Sequence, residues 1–101
     1  MKELYDLRGR VALVTGAGVG IGRAVAISLA EAGAKIAIHC HTSRAAADEL
    51  QQQIAAAGGE AIVVQADLAE AAQAAGVVDR AVERFGRLDI LVNNAGSVVS
   101  R

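Results

Sequence analysis

Proline and tryptophan are missing from these 101 residues, and tyrosine, phenylalanine, methionine and cysteine occur once each. The lone cysteine, Cys40, can close no intrachain disulfide and cannot by itself build a structural metal site. That fits reducing surroundings and predicts a cytoplasmic protein. Charge of one sign is also lacking, since 10 basic and 11 acidic residues leave a formal net charge of -1. The basic residues are scattered, which removes the electrostatic footprint of a general nucleic-acid binder. Apolar stretches are broken by Gly, Lys or Asp well short of the roughly 18 to 20 residues a membrane span needs. Lys2 is followed by Glu3, Tyr5 and Asp6 rather than by an apolar signal core. Neither a nucleic-acid nor a membrane partner is expected.

What is abundant is small and apolar. Of 54 residues in the hydrophobic class 23 are alanine, which leaves enough larger side chains for one small core and not for two. Short β-branched runs alternate with longer alanine-rich segments, the pattern of βαβ units, with no low-complexity linker between them. Strands are predicted over 11–15, 35–40, 61–66 and 89–93. Most read as continuous apolar runs, as strands of a parallel sheet covered on both faces do. A first helix carries Ile21, Val25, Leu29 and Ala32 on one face and stops at Gly33. Ser43 is placed to cap a second, with an inner stripe of Ala47, Leu50, Ile54 and Ala57 and a stop at Gly58-Gly59. A third runs over 70–85, burying Ala74, Val78, Ala81, Val82 and Phe85, with Gly86 as its stop. Gly76 weakens this helix by roughly 1 kcal/mol relative to alanine.

Four of the eleven glycines fall within residues 16–22, between the first strand and the first helix. Glycine lets a chain turn sharply and lets a ligand approach the backbone, and a following helix aims free N–H groups and its positive dipole end into the gap. A pyrophosphate suits both features. The dinucleotide fingerprint G-x-G-x-x-G fails, because Gly16 and Gly18 would require a third glycine where Ile21 stands. G-x-x-x-G-x-G fits instead, through Gly16, Gly20 and Gly22. Taken alone, the loop also admits a turn that serves only tight strand-to-helix packing.

With Thr15 in front, this loop resembles the T-G-x-x-x-G-x-G loop of the short-chain dehydrogenase/reductase family. Asp67-Leu68 after the third strand and Asn93-Asn94-Ala95-Gly96 after the fourth are similar to that family's landmarks, as is the whole stretch from Arg87 to Gly96. The resemblance implies an α/β fold, a partial Rossmann doubly wound parallel sheet of four strands in the order 3-2-1-4 with three helices, forming one truncated NAD(P)-binding domain over 1–101. It implies that Thr15, Gly16, Gly18, Val19, Gly20, Ile21 and Gly22 form the diphosphate loop. The Asp67 carboxylate then accepts from the adenine amino group and the Leu68 amide meets a ring nitrogen. Asn93 ties the fourth strand to its neighbours, while Asn94, Ala95 and Gly96 run beside the ribose towards the nicotinamide. From the residues alone, Asp67 also reads as a helix N-terminal cap and Asn93-Asn94 as an ordinary turn.

NAD sites usually carry an Asp or Glu about 20 residues beyond the glycines, at the end of the second strand, to bind the ribose hydroxyls. Here the sequence reads Ile38-His39-Cys40-His41-Thr42-Ser43-Arg44. A carboxylate would repel a 2'-phosphate, whereas His41, Ser43 and Arg44 can donate to one, so NADP(H) is expected in preference to NAD(H). Against this, Val19 stands where many NADP-using relatives carry a basic residue, and Arg44 also reads as a solvated first-turn residue. On a strand His39 and His41 share a face and Cys40 faces away, so the three cannot converge on one metal ion.

Members of the family transfer hydride between the nicotinamide and a carbonyl or alcohol, with a Tyr-x-x-x-Lys pair as acid/base. A tyrosine of ordinary pKa near 10 needs a neighbouring cation to act near neutrality. No such pair is present: Tyr5 is followed four positions on by Gly9, and the lysines are Lys2 and Lys35. Ser97 and Ser100 come too early for the family's catalytic serine. The expectation is the N-terminal, cofactor-binding portion of a longer oxidoreductase, inactive by itself. By resemblance the parent is a homo-oligomer acting on a small-molecule carbonyl, with a lean towards 3-oxoacyl-[acyl-carrier-protein] reductases. The alternative is a stand-alone, non-catalytic nucleotide-binding module.

Overall fold

A computed structural model of the chain describes residues 6–94. The elements run β1 (Val11–Val14), α1 (Gly20–Glu31), β2 (Lys35–Cys40), α2 (Arg44–Ala56), β3 (Ala61–Gln65), α3 (Ala71–Phe85) and β4 (Ile90–Val92). The four strands pair in parallel in the order β3-β2-β1-β4, as the sequence predicts. Val11 sits opposite Lys35 and Val14 opposite Ile38. Leu13 sits opposite Leu91. Strand residues alternate between faces, and the core divides accordingly. Ala12, Val14, Ile36 and Ile38 face Ala26 of α1 and Leu50 and Ile54 of α2. Leu13, Ala37 and Val64 face Val77 and Ala81 of α3. Helices therefore cover both sides of the sheet.

Helix termini follow glycine chemistry. Gly33, Gly58 and Gly86, each just past a helix, all have positive φ, the left-handed conformation that closes a helix without a Cβ clash. Asp89 fastens the start of β4 to β1: its Oδ2 accepts the Val11 N–H at 2.9 Å and its own N–H donates to the Val11 carbonyl at 2.9 Å.

The faces of the helices need correction. Ile21, expected inward, is 76% exposed, and α1 meets the sheet through Gly22 and Ala26. Val78 and Val82 are exposed as well, while Val77 and Ala81 are buried. Both stripes have helical spacing, so periodicity alone cannot choose between them. α3 lies over β3, β1 and β2, and on that side of the sheet the β4 residue Leu91 stays 58% exposed beside buried Leu13. Ala57 is the exposed C-cap of α2 rather than part of its buried stripe. Phe85 is half-buried, its ring 5.0 Å from the Arg84 guanidinium carbon. Ser43 does occupy the N-cap of α2, but its hydroxyl makes no capping bond; its carbonyl accepts from Ala47 at 3.0 Å.

Candidate functional site

β1 and β2 end at the carboxyl edge of the sheet, the side on which open α/β sheets bind ligands. A cavity of about 150 Å³ opens there, lined by Gly16, Gly18, Val19, His39, Cys40, His41, Thr42 and Ser43. A larger cleft of about 500 Å³ lies at the other end, around Gly33, Lys35, Gly59 and Glu60. Those residues flank the amino ends of β2 and β3, so the smaller cavity is the one in the expected place.

The glycine loop is built by close approach. Gly16 and Gly20 have φ of 61° and 58°, which L side chains rarely adopt. Gly22, in the first turn of α1, has no room for more: a Cβ there would lie 2.5 Å from the Gly16 carbonyl oxygen and 2.7 Å from Asn94 Nδ2. A Cβ on Gly18 would meet Ser43 Cβ and its carbonyl oxygen at 3.2 Å, so Gly18 sets how near the loop comes to α2. Above this, the first turn of α1 presents N–H groups that have no intrahelical acceptor. Val19 at its N-cap adds no side-chain cap and no acid occupies the turn. An acid in that turn would compete with a bound phosphate.

Four polar side chains hold the loop from beneath. The Thr15 hydroxyl donates towards the Val92 carbonyl at 3.3 Å and accepts from the Asn94 N–H at 2.8 Å. Asn94 Nδ2 donates to the Gly16 carbonyl at 3.2 Å, and Asn93 Oδ1 lies 3.4 Å from the Thr15 hydroxyl. Thr15 and the Asn93-Asn94 pair thus join β1 and β4 at the root of the loop. Ala95 and Gly96, expected beside the ribose, lie outside the described residues. The fourth side chain is His39, which the sequence offers only as a metal ligand. It is 1% exposed and bonded to the loop through Gly16. A histidine inside an otherwise apolar strand was the available signal, because a buried polar group must be paired.

The ribose end is more open. His41, which lines the cavity, has its Nε2 4.0 Å from Asp67 Oδ2, so the two predicted residues lie side by side. Asp67 Oδ1 also accepts the Ala69 N–H at 3.0 Å in a local turn, so it shapes the segment before α3 without being its N-cap, which is Glu70. Leu68 packs partly buried against the core on the α3 side of the sheet. Arg44 is turned along α2, its Nε 2.9 Å from Asp48 Oδ1, and does not line the cavity. Cys40 is buried, and that burial pushes its thiol pKa up; a thiol so placed is inert. Among the described residues no group of three His, Cys, Asp or Glu side chains could hold a metal ion, and no helix is long and apolar enough to cross a membrane.

A parallel sheet in the order 3-2-1-4, with a close-packed glycine loop leading into the first helix, defines an α/β domain with a partial Rossmann fold. The sequence profile of the short chain dehydrogenase family matches residues 10–101. The chain belongs to that family of oxidoreductases. It is 54% identical over 90 residues to an uncharacterized oxidoreductase of Methylorubrum extorquens, covering 89% of this chain and 36% of that protein. To a versicolorin reductase of Emericella nidulans it is 47% identical over 94 residues, covering 93% of this chain and 36% of that protein. A short chain dehydrogenase from Burkholderia cenocepacia, solved in complex with NADP, superposes with a TM-score of 0.87 at 48% identity, over 90% of this chain and 37% of that one. The chain thus spans little more than a third of the length of these relatives.

Proposed function

We propose that this chain is the N-terminal, cofactor-binding portion of an NADP(H)-linked carbonyl reductase, and that residues 1–101 form a truncated NAD(P)-binding domain. The observation that carries the reading is the glycine loop. Gly22 admits no Cβ, Gly16 and Gly20 hold positive φ, and the first-turn amides of α1 stand open with no protein carboxylate among them. When bound, the nicotinamide supplies the hydride donor or acceptor. The chain's own residues bind and orient: Gly16, Gly18, Val19, Gly20, Ile21 and Gly22 take the diphosphate, with Thr15 and Asn94 fixing the loop's root. Asp67 and Leu68 take the adenine, and by resemblance to the family Ala95 and Gly96 are assigned to the nicotinamide side.

NADP(H) is favoured over NAD(H) because residues 39–44 contain no acid, and His41, Ser43 and Arg44 can donate to a 2'-phosphate. The NADP-bound Burkholderia cenocepacia neighbour supports this preference. Arg44 reaches the phosphate by exchanging its exposed partner Asp48, a surface pairing of low cost. The relatives named as reductases, including a probable tetrahydroxynaphthalene reductase of Zymoseptoria tritici, support reduction as the direction. The resemblance to 3-oxoacyl-[acyl-carrier-protein] reductases supplies the substrate lean, a small-molecule carbonyl. The parent oxidoreductase is proposed to be a cytoplasmic homo-oligomer.

The sequence holds no Tyr-x-x-x-Lys pair, so the chain by itself is expected to bind dinucleotide without turnover. Parallel titrations of the chain with NADPH and NADH test the reading. Tighter binding of NADPH supports it; equal or reversed affinities overturn the cofactor assignment.

A further inference from the structure

We infer that His39 is the positioning residue of the dinucleotide site, its imidazole fastening the first amide of the glycine loop to the carbonyl that leads into Asp67. This rests on the cofactor reading above and goes beyond it. His39 Nδ1 lies 3.0 Å from the Gly16 nitrogen and Nε2 lies 2.9 Å from the Ala66 carbonyl oxygen. A backbone N–H can only donate and a carbonyl can only accept, so Nδ1 is the acceptor and Nε2–H the donor. Both partners together specify one form of the ring, the neutral Nε2–H tautomer.

The backbone of the same residue continues the work. The His39 carbonyl accepts the Ala17 N–H at 3.0 Å, so His39 takes two successive loop amides, one on its side chain and one on its main chain. The next carbonyl along β2, that of Cys40, accepts the Ala66 N–H at 3.0 Å. Ala66 is thereby held on both its polar groups one residue before Asp67. The Gly16 and Ala17 amides, turned inward, leave the amides further along the loop to face a diphosphate. Thr15 and His39 are the buried polar residues among those described, and both grip this loop. Burying a polar side chain is costly unless every bond is made, and here the bonds converge on the two segments that hold opposite ends of the adenosine diphosphate.

The test compares His39→Leu, which removes both bonds, with His39→Asn, whose amide oxygen stands near the position of Nδ1 and can accept from Gly16. NADPH affinity is measured by titration on folded protein, and Gly16 amide exchange is followed in the free protein. His39→Leu is expected to weaken NADPH binding about tenfold or more, the scale of a lost buried hydrogen bond, and to speed Gly16 exchange; His39→Asn should recover most of both. Nitrogen-resolved NMR of the wild type should find the Nε2–H tautomer. An affinity within about twofold of wild type for His39→Leu, with Gly16 exchange unchanged, overturns the proposal, as does an Nδ1–H ring. A role confined to stability would lower the urea midpoint and leave the affinity of the folded variant unmoved. Should His39→Leu fail to fold, the His39→Asn comparison and the tautomer decide. Wild type that binds no NADPH overturns the cofactor reading, while Gly16 exchange still decides whether His39 holds the loop.

Discussion

Replacing Gly22 and Gly76 by alanine makes the same chemical change in two helices and should move stability in opposite directions. In a helix interior alanine is better than glycine by about 1 kcal/mol. At Gly76 a Cβ would meet nothing within 4 Å, so Gly76→Ala should gain about that amount. At Gly22 the Cβ would press into the Gly16 carbonyl at 2.5 Å and Asn94 Nδ2 at 2.7 Å. Those neighbours must separate, at the roughly 1 to 3 kcal/mol typical of overpacking. The 3.2 Å bond from Asn94 to Gly16 is lost as well, costing about 1 kcal/mol. Set against the helix gain, Gly22→Ala should destabilise by about 2 kcal/mol. At roughly 4 to 8 °C per kcal/mol for a chain of this size, melting should fall by about 8 to 16 °C in Gly22→Ala and rise by about 4 to 8 °C in Gly76→Ala. Urea titration checks both through the midpoint at constant slope. Gly22→Ala as stable as wild type would refute the claim that the loop is set by backbone approach at residue 22, and Gly76→Ala less stable than wild type would refute the helix gain assumed for both.

Arg44→Ala should lower the ratio of NADPH to NADH affinity by about five- to tenfold, the scale of one exposed charge-assisted bond; an unchanged ratio in paired titrations removes Arg44 from the 2'-phosphate site. Asp89 has its pKa lowered by the Arg87 side chain and by the Val11 N–H. A carboxylate depressed in the folded state stabilises fully above its unfolded pKa, near 3.9, and that stability is lost as pH falls through the lower, folded value. Urea midpoints between pH 5 and pH 2 should therefore fall more steeply for wild type than for Asp89→Asn, and identical acid limbs would contradict the assignment.

The buried parallel strands and the glycine loop were legible from local signatures, whereas the strand order 3-2-1-4 followed from the resemblance to the family. Continuous apolar runs mark buried parallel strands, and the spacing of Gly16, Gly20 and Gly22 marks a loop where backbone meets backbone. Helix faces were less so. Ala74, Val77, Val78, Ala81 and Val82 offer two stripes of equal spacing, and only the position of α3 over β3, β1 and β2 selects Val77 and Ala81. Ile21 was misplaced for a similar reason: α1 approaches the sheet through its smallest residues, which turns the larger side chain outward. The close-packed shape of residues 15–22 could be read because glycine and threonine there answer to a pattern. His39 could not, since its partners Gly16 and Ala66 lie 23 and 27 residues away in the chain. Arg44 was readable by charge but not by direction, because Asp48 one helical turn on offers a nearer partner.

Calorimetric titration of the folded chain with NADPH, beside Gly22→Ala under the same conditions, bears most directly on the dinucleotide site. The wild type should show saturable binding of one dinucleotide per chain, weakened at least about tenfold in the variant, since displacing the Gly16 carbonyl moves the amides proposed to take the diphosphate. A wild-type chain folded by circular dichroism yet giving no saturable binding, or a Gly22→Ala variant that binds as tightly, would contradict it.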